Sequence, residues 1–97
     1  MARPTARLGD QGVPHCSGYV IATGSLNVFV NNKPMAAVGD TSSPHLRPAS
    51  PFCVAHVASI SQGSGSVFVN GRRVARVGDA LAGCTLVATG SPNVFTA

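Results

Sequence analysis

The sequence predicts an all-β domain of short β-hairpins with pseudo-threefold internal symmetry, and three observations carry that prediction. One strand-like phrase occurs three times, as Asn27-Val28-Phe29-Val30-Asn31, Ser66-Val67-Phe68-Val69-Asn70 and Asn93-Val94-Phe95-Thr96. A Gly-Asp pair also occurs three times, as Gly9-Asp10, Gly39-Asp40 and Gly78-Asp79. Finally, the chain opens on an arm with no outgoing strand before it and closes on an outgoing strand with no return. Fixed-period self-similarity of this kind marks a repeat architecture, in which each unit buries its apolar face against its neighbours.

Each repeat reads as an outgoing strand, a tight turn and a returning arm. The outgoing strand follows a Gly-Ser pair: Gly24-Ser25, then Gly65-Ser66 or alternatively Gly63-Ser64, then Gly90-Ser91. Within it Val28 and Val30 share one face and Phe29 takes the other, as do Val67 and Val69 against Phe68; alternation alone leaves open which face is inside. The turn signals are Asn31-Asn32 and Asn70-Gly71, residues that tolerate the positive φ of a type I′ hairpin. The returning arms are Pro34 to Val38 and Arg73 to Val77, each running into Gly-Asp. Pro4-Thr5-Ala6-Arg7-Leu8 matches a returning arm, so the first and last segments should pair as the third hairpin and bring the termini together, leaving few free strand edges. Pro and Gly interrupt every longer stretch; a single helical turn is allowed near Cys53–Ala58 and no more.

Composition sets the bounds. With 97 residues the chain reads as one domain spanning 1–97, of a size that buries roughly 60–65% of its extended surface and commonly needs a metal, a disulfide or a partner. Hydrophobic residues make up 44% and charged residues only 10%, which argues against disorder. No apolar run of membrane-spanning length occurs, and MARPTARLGD lacks the apolar core of a secretory signal. The net charge of +4 reflects a shortage of acids: the carboxylate side chains are Asp10, Asp40 and Asp79, with no Glu. The seven basic residues are scattered, without a recognition helix or an aromatic RNA-binding stretch, so no nucleic-acid partner is expected.

The ligand-type residues follow the repeat. Five residues past each Asp stand His15, His45 and Cys84. The Asp-to-Gly spacings of 14, 23 and 11 residues make the middle loop the longest; it carries Pro44, Pro48 and Pro51 and delivers His56. Three equivalent loops converge on a symmetry axis, and His56 supplies the fourth donor that a tetrahedral ion requires. Three imidazoles and one thiolate suit zinc. Cys16 and Cys53 are left outside this set: an odd cysteine count without a secretory signal favours metal binding or free thiols over disulfides. Cys53, spaced C-x-x-H from His56, is the strongest substitute ligand, and both otherwise read as small buried hydrophobes. The three Asp residues read as turn formers that accept backbone N–H groups. Four protein ligands leave no open coordination position and no Glu stands by as a base, so the metal reads as structural and the chain as a non-enzyme; a small zinc hydrolase would need both.

In combination these features resemble the PAAR-repeat proteins. The repeated tetrapeptide appears as Pro4-Thr5-Ala6-Arg7, Pro34-Met35-Ala36-Ala37 and Arg73-Val74-Ala75-Arg76, each before Leu/Val-Gly-Asp, and Gly90 to Phe95 is similar to the family's strand signature. The second copy lacks the Arg and the third the Pro, which weakens a role for those side chains. The resemblance implies a small cone or pyramid of β-hairpins with a metal-stapled apex, holding zinc through His15, His45, His56 and Cys84. It further implies a spike-tip protein that caps a trimeric VgrG-like β-helical spike, in type VI secretion or a contractile phage tail. Such a protein is made in the bacterial cytoplasm, touches its target membrane transiently during puncture, and in some relatives carries effector cargo. No appended effector domain is expected within these residues. The alternative is a stand-alone zinc-binding β adaptor for an effector or another partner.

Overall fold

The computed structural model describes residues 2–97. Its elements are β1 (Arg3–Pro4), β2 (Phe29–Val30), β3 (Lys33–Pro34), β4 (His45–Ala49), β5 (Phe52–His56), β6 (Phe68–Val69), β7 (Arg72–Arg73) and β8 (Phe95–Thr96), with no helix among the described residues. All pairings are antiparallel: β2 with β3, β6 with β7, β4 with β5, and β1 with β8.

The two tight turns have the conformation their residues suggest. Asn31 and Asn32 sit at φ 52° and 65°, Asn70 and Gly71 at 51° and 77°, the double positive φ of a type I′ turn. The third hairpin is closed without a covalent turn. Arg3 faces Thr96 as Lys33 faces Val30 and Arg72 faces Val69, so the first and last strands are neighbours as the repeat requires. Alternation resolves the same way in all three copies. Val30, Val69 and Thr96 are buried, whereas Phe29, Phe68 and Phe95 are 55%, 53% and 55% exposed.

The serine of each Gly-Ser pair caps the outgoing strand from inside. Ser25 Oγ accepts the N–H groups of Asn27 and Val28, Ser64 Oγ those of Ser66 and Val67, and Ser91 Oγ those of Asn93 and Val94. This settles Gly63-Ser64, not Gly65-Ser66, as the middle copy. Each hairpin end also clasps the serine of the next. Ser91 Oγ donates to Asn31, Asn70 Nδ2 donates to Ser25, and Ser64 Oγ donates to the Ala97 carbonyl.

The returning arms wind around the axis. Ala6 N–H donates to the Ala75 carbonyl, Ala75 N–H to that of Ala36, and Ala36 N–H to that of Ala6, at 2.9, 2.9 and 3.0 Å. All three alanines are fully buried, and this closed triangle satisfies their backbone groups without a sheet edge. Each arm then ends in a four-residue turn closed by a hydrogen bond from the Asp N–H to the carbonyl three residues back. Gly9, Gly39 and Gly78 take φ of 89°, 96° and 91° at its third position, which defines a type II turn and explains the glycine.

The aspartates do more than form turns. Each accepts the backbone N–H three residues back, that of Arg7, Ala37 or Arg76. Arg7 also grips Asp10 through Nε and Nη2, and Arg76 grips Asp79 the same way. The middle copy has Ala37 where the others have Arg, so Asp40 keeps only Arg72 of the neighbouring hairpin, at 3.2 Å, the equivalent of Arg3 on Asp79 at 3.0 Å. The cation is therefore supplied from another strand, and the departure from the repeat leaves Asp40 one arginine. Beyond the turns, Ile21, Ile60 and Val87 are equivalent, each donating its N–H to the carbonyl of a repeat aspartate, and they share one core with Tyr19, Ala58 and Leu81. The body is 40 Å long and 25 by 24 Å across, the near-equal short axes that a threefold rotor gives. Hairpins lie at one end of the arms and the three loops at the other.

Candidate metal centre

Each loop presents its ligand-type residue differently. His15 lies in the first loop outside any strand, its N–H reaching the Ser17 carbonyl at 3.3 Å. His45 opens β4 and His56 closes β5, directly opposite each other in the ladder. Cys84 ends a turn whose N–H returns to the Leu81 carbonyl, with Gly83 at φ 63°. The middle loop is thus a projecting hairpin of two five-residue strands, and Cys53–His56 is strand and not the helical turn the sequence allows. Prolines do not prevent this, because each strand of a two-stranded ladder has a free side on which no N–H is needed. Its turn, Ala49 to Phe52, contains a cis Ser50-Pro51 bond.

The four donor atoms converge within 4.8 Å of one another. His15 Nε2 is 3.3 Å from His45 Nε2 and 2.9 Å from Cys84 Sγ; His45 Nε2 is 3.2 Å from Sγ and 2.8 Å from His56 Nε2, which lies 3.7 Å from Sγ. A tetrahedral ion bonded at about 2.0–2.1 Å to nitrogen and about 2.3 Å to sulfur sets edges of roughly 3.3–3.6 Å. The five separations, 2.8 to 3.7 Å, bracket those edges. His45 Nδ1 is 2.9 Å from the Ser43 carbonyl, which accepts its proton and leaves Nε2 as a lone pair aimed inward. Lone pairs from several directions repel unless a cation sits among them, so these residues fit a metal ion.

Electrostatics favour the same state. His15 and His56 have pKa values below the ordinary 6.5, His15 through burial and then His45 and Arg47, His56 through burial and then His45, Arg47 and His15. Neutral imidazole is the form that ligates. Desolvation also pushes the Tyr19 hydroxyl up to about 12; it stays protonated and pairs with Thr85 Oγ1 at 2.9 Å.

Tyr19 is not singled out by any motif in the sequence. Its ring stacks on His45 with centroids 4.1 Å apart and walls the cluster from below. Room for it comes from Gly12, where an added Cβ would fall 1.9 Å from the ring. The one faint signal is that Tyr19 is the only tyrosine in the chain.

The cysteine reading needs correction. Cys16 and Cys53 form a disulfide, 37 residues apart in sequence, and Cys84 alone is free. Neither is a buried hydrophobe: Cys53 is exposed and Cys16 half-buried. Nor does Cys53 substitute as a ligand. His56 and Cys53 lie three positions apart on β5 and so on opposite faces, and the Cys53 sulfur is bonded to Cys16 of the first loop.

Among known proteins, no curated relative matches the chain. A family model, the PAAR motif, matches residues 49–97, which covers β5, the hairpin β6–β7, the Cys84 loop and β8. The unmatched half repeats the same arm, Gly-Asp turn and hairpin. The three closed alanine hydrogen bonds, the three Gly-Asp turns and the matched second half together make this chain a member of the PAAR motif family.

Proposed function

We propose that this protein is a spike tip: it caps a trimeric VgrG-like β-helical spike of a contractile injection machine, of the type VI secretion or phage-tail kind. The observation that carries this reading is the base. Phe29, Phe68 and Phe95 stand at equivalent positions of three hairpins, each more than half exposed. Single exposed apolar residues are ordinary, but a symmetric set is a contact surface. One chain that repeats a contact three times around an axis suits a partner that is itself a trimer. Lys33 and Arg73, which make no ion pair among the described residues, lie on the same hairpins and favour an acidic rim on that partner.

At the other end the cluster holds zinc, the ion that three imidazoles and a thiolate suit best. The metal is structural. Four protein donors close its coordination sphere, and the three carboxylates are engaged with arginines, so no base or open position serves a reaction. Zinc would knit the three loops into a stiff point that transmits force to a target membrane. In this account the protein is made in the bacterial cytoplasm and leaves it on the spike, with any effector cargo.

Co-purification with a trimeric VgrG-type spike tests the base. The wild type should be retained and a Phe29→Ser/Phe68→Ser/Phe95→Ser variant released. If the variant binds the trimer as well as wild type, the base reading fails; capture of an effector with no binding to the trimer would favour the zinc-binding adaptor. Elemental analysis should find one equivalent of zinc, lost or loosened in His56→Ala.

A further inference from the structure

The disulfide lies beside the metal centre and ties together two of the segments that build it. Cys16 follows His15 in the first loop, and Cys53 lies three residues before His56 on β5. Of the four ligand-type residues His15 has the least scaffolding. Cys84 is held by its turn, His45 by the Ser43 carbonyl and His56 by its ladder pairing with His45, whereas His15 stands on a strandless loop. Near the cluster, the first loop meets the hairpin otherwise only through non-covalent contacts, Leu46 N–H to Ser17 Oγ at 2.8 Å, Ser43 N–H to the Val20 carbonyl at 2.8 Å and the Tyr19 ring on His45. A covalent clasp there removes conformations that metal binding would otherwise have to remove.

We propose that the Cys16–Cys53 disulfide and the His15–His45–His56–Cys84 centre are coupled sites, each strengthening the other. This rests on the metal reading of the cluster. Closing the disulfide brings His15 and His56 together and raises metal affinity; filling the centre brings Cys16 and Cys53 together and makes the disulfide harder to reduce. Linkage requires the two effects to be the same factor. The redox step is two thiols giving one disulfide, two protons and two electrons, the electrons passing to a disulfide oxidant that becomes a dithiol. Both cysteines are reachable for that exchange, Cys53 being exposed and Cys16 half-buried. Where thiols are kept reduced the metal holds the tip alone; where they are oxidised a second clasp closes.

The test uses the full chain and zinc alone. Zinc affinity is measured by chelator competition on the oxidised protein, on the protein reduced with a phosphine (which takes up oxygen from water as the two thiols form), and on Cys16→Ser/Cys53→Ser. The reduced and double-variant forms should bind about tenfold more weakly, within the usual range of coupling between sites. The reduction equilibrium, followed in a dithiol buffer at fixed free zinc, should shift by the same tenfold between zinc-loaded and metal-free protein, about 30 mV for two electrons. A disulfide that stiffens the fold without touching the centre would leave both the zinc affinity and the reduction equilibrium unchanged. Should the double variant fail to fold, the reduced wild type carries the comparison. Equal affinity in oxidised and reduced protein overturns the coupling, and so does tighter binding on reduction, which would make the freed thiols ligands. Absence of zinc binding in every form removes the metal centre itself.

Discussion

The two ends of this molecule solve one problem under different constraints. At the base, three hairpins are near copies: buried Val or Thr inward, Phe outward, a serine under each strand, and a ring of clasps from one hairpin to the next. At the apex the three loops differ in length, and the ligand-type residues are His, His with His, and Cys. Threefold symmetry suits a base that offers the same surface three times. It does not suit a cluster of four donors, which the middle loop completes by growing into a hairpin that breaks the symmetry. Repetition holds one end together; chemistry particular to each loop holds the other.

The largest expected effect tests that division. Chelation of the proposed zinc should lower stability by about 4 kcal/mol where free zinc had stood about 1,000-fold above its Kd, and the loss should be local. Hydrogen exchange should quicken in β4, β5 and the Cys84 loop while the alanine triangle stays protected. Equal loss of protection at both ends would show that the base depends on the metal as well.

Next comes the waist between them. Asp10 and Arg7 are a buried pair with side chains 5% and 9% exposed. Asp10→Ala strands the guanidinium and should lower unfolding free energy by about 3–5 kcal/mol, read by denaturant titration. The pair is part of the repeat, so the loss should persist in metal-free protein.

Gly12→Ala sharpens the comparison from the apex side. Its Cβ must displace the Tyr19 ring from His45, an overpacking cost of about 1–3 kcal/mol, with faster zinc loss to a chelator. A stable variant that keeps its zinc would show that the stacked ring is dispensable.

Acid should act on the apex too. With His15 and His56 depressed below 6.5, the unfolded chain takes up protons first as pH falls. Their contribution is whole above about pH 6.5 and is lost as pH drops through the lower folded values. Thermal melts of metal-free protein should therefore fall from pH 7 to pH 5, and less so in His15→Gln/His56→Gln. The smallest effect belongs to the base: Phe68→Ala should change stability by no more than about 0.5 kcal/mol, because that ring is half in solvent.

Much of this architecture is legible in the amino-acid sequence. The Asn-Asn and Asn-Gly turns, the pairing of the two ends and the convergence of four ligand-type residues all follow from repeat position, which survives in sequence as spacing. What depends on three-dimensional proximity is not legible there. The disulfide joins residues whose loops meet only because β4 and β5 pair, and an odd cysteine count hides it. Arg72 reaches Asp40 and Arg3 reaches Asp79 from another strand, pairings that the spacing along the chain does not reveal. Tyr19 carries no motif; its place shows only in the gap that Gly12 leaves.

The junction of β1 and β8 has one further consequence. Because Arg3 faces Thr96 as Lys33 faces Val30, Ala97 and Ala2 fall where the turn residues Asn31 and Asn32 fall in the intact copy. The fold is therefore a ring whose seam is arbitrary. A gene reopened between Asn70 and Gly71, with an Asn-Gly pair joining Thr96 to Arg3, would spell the same object from a different starting letter.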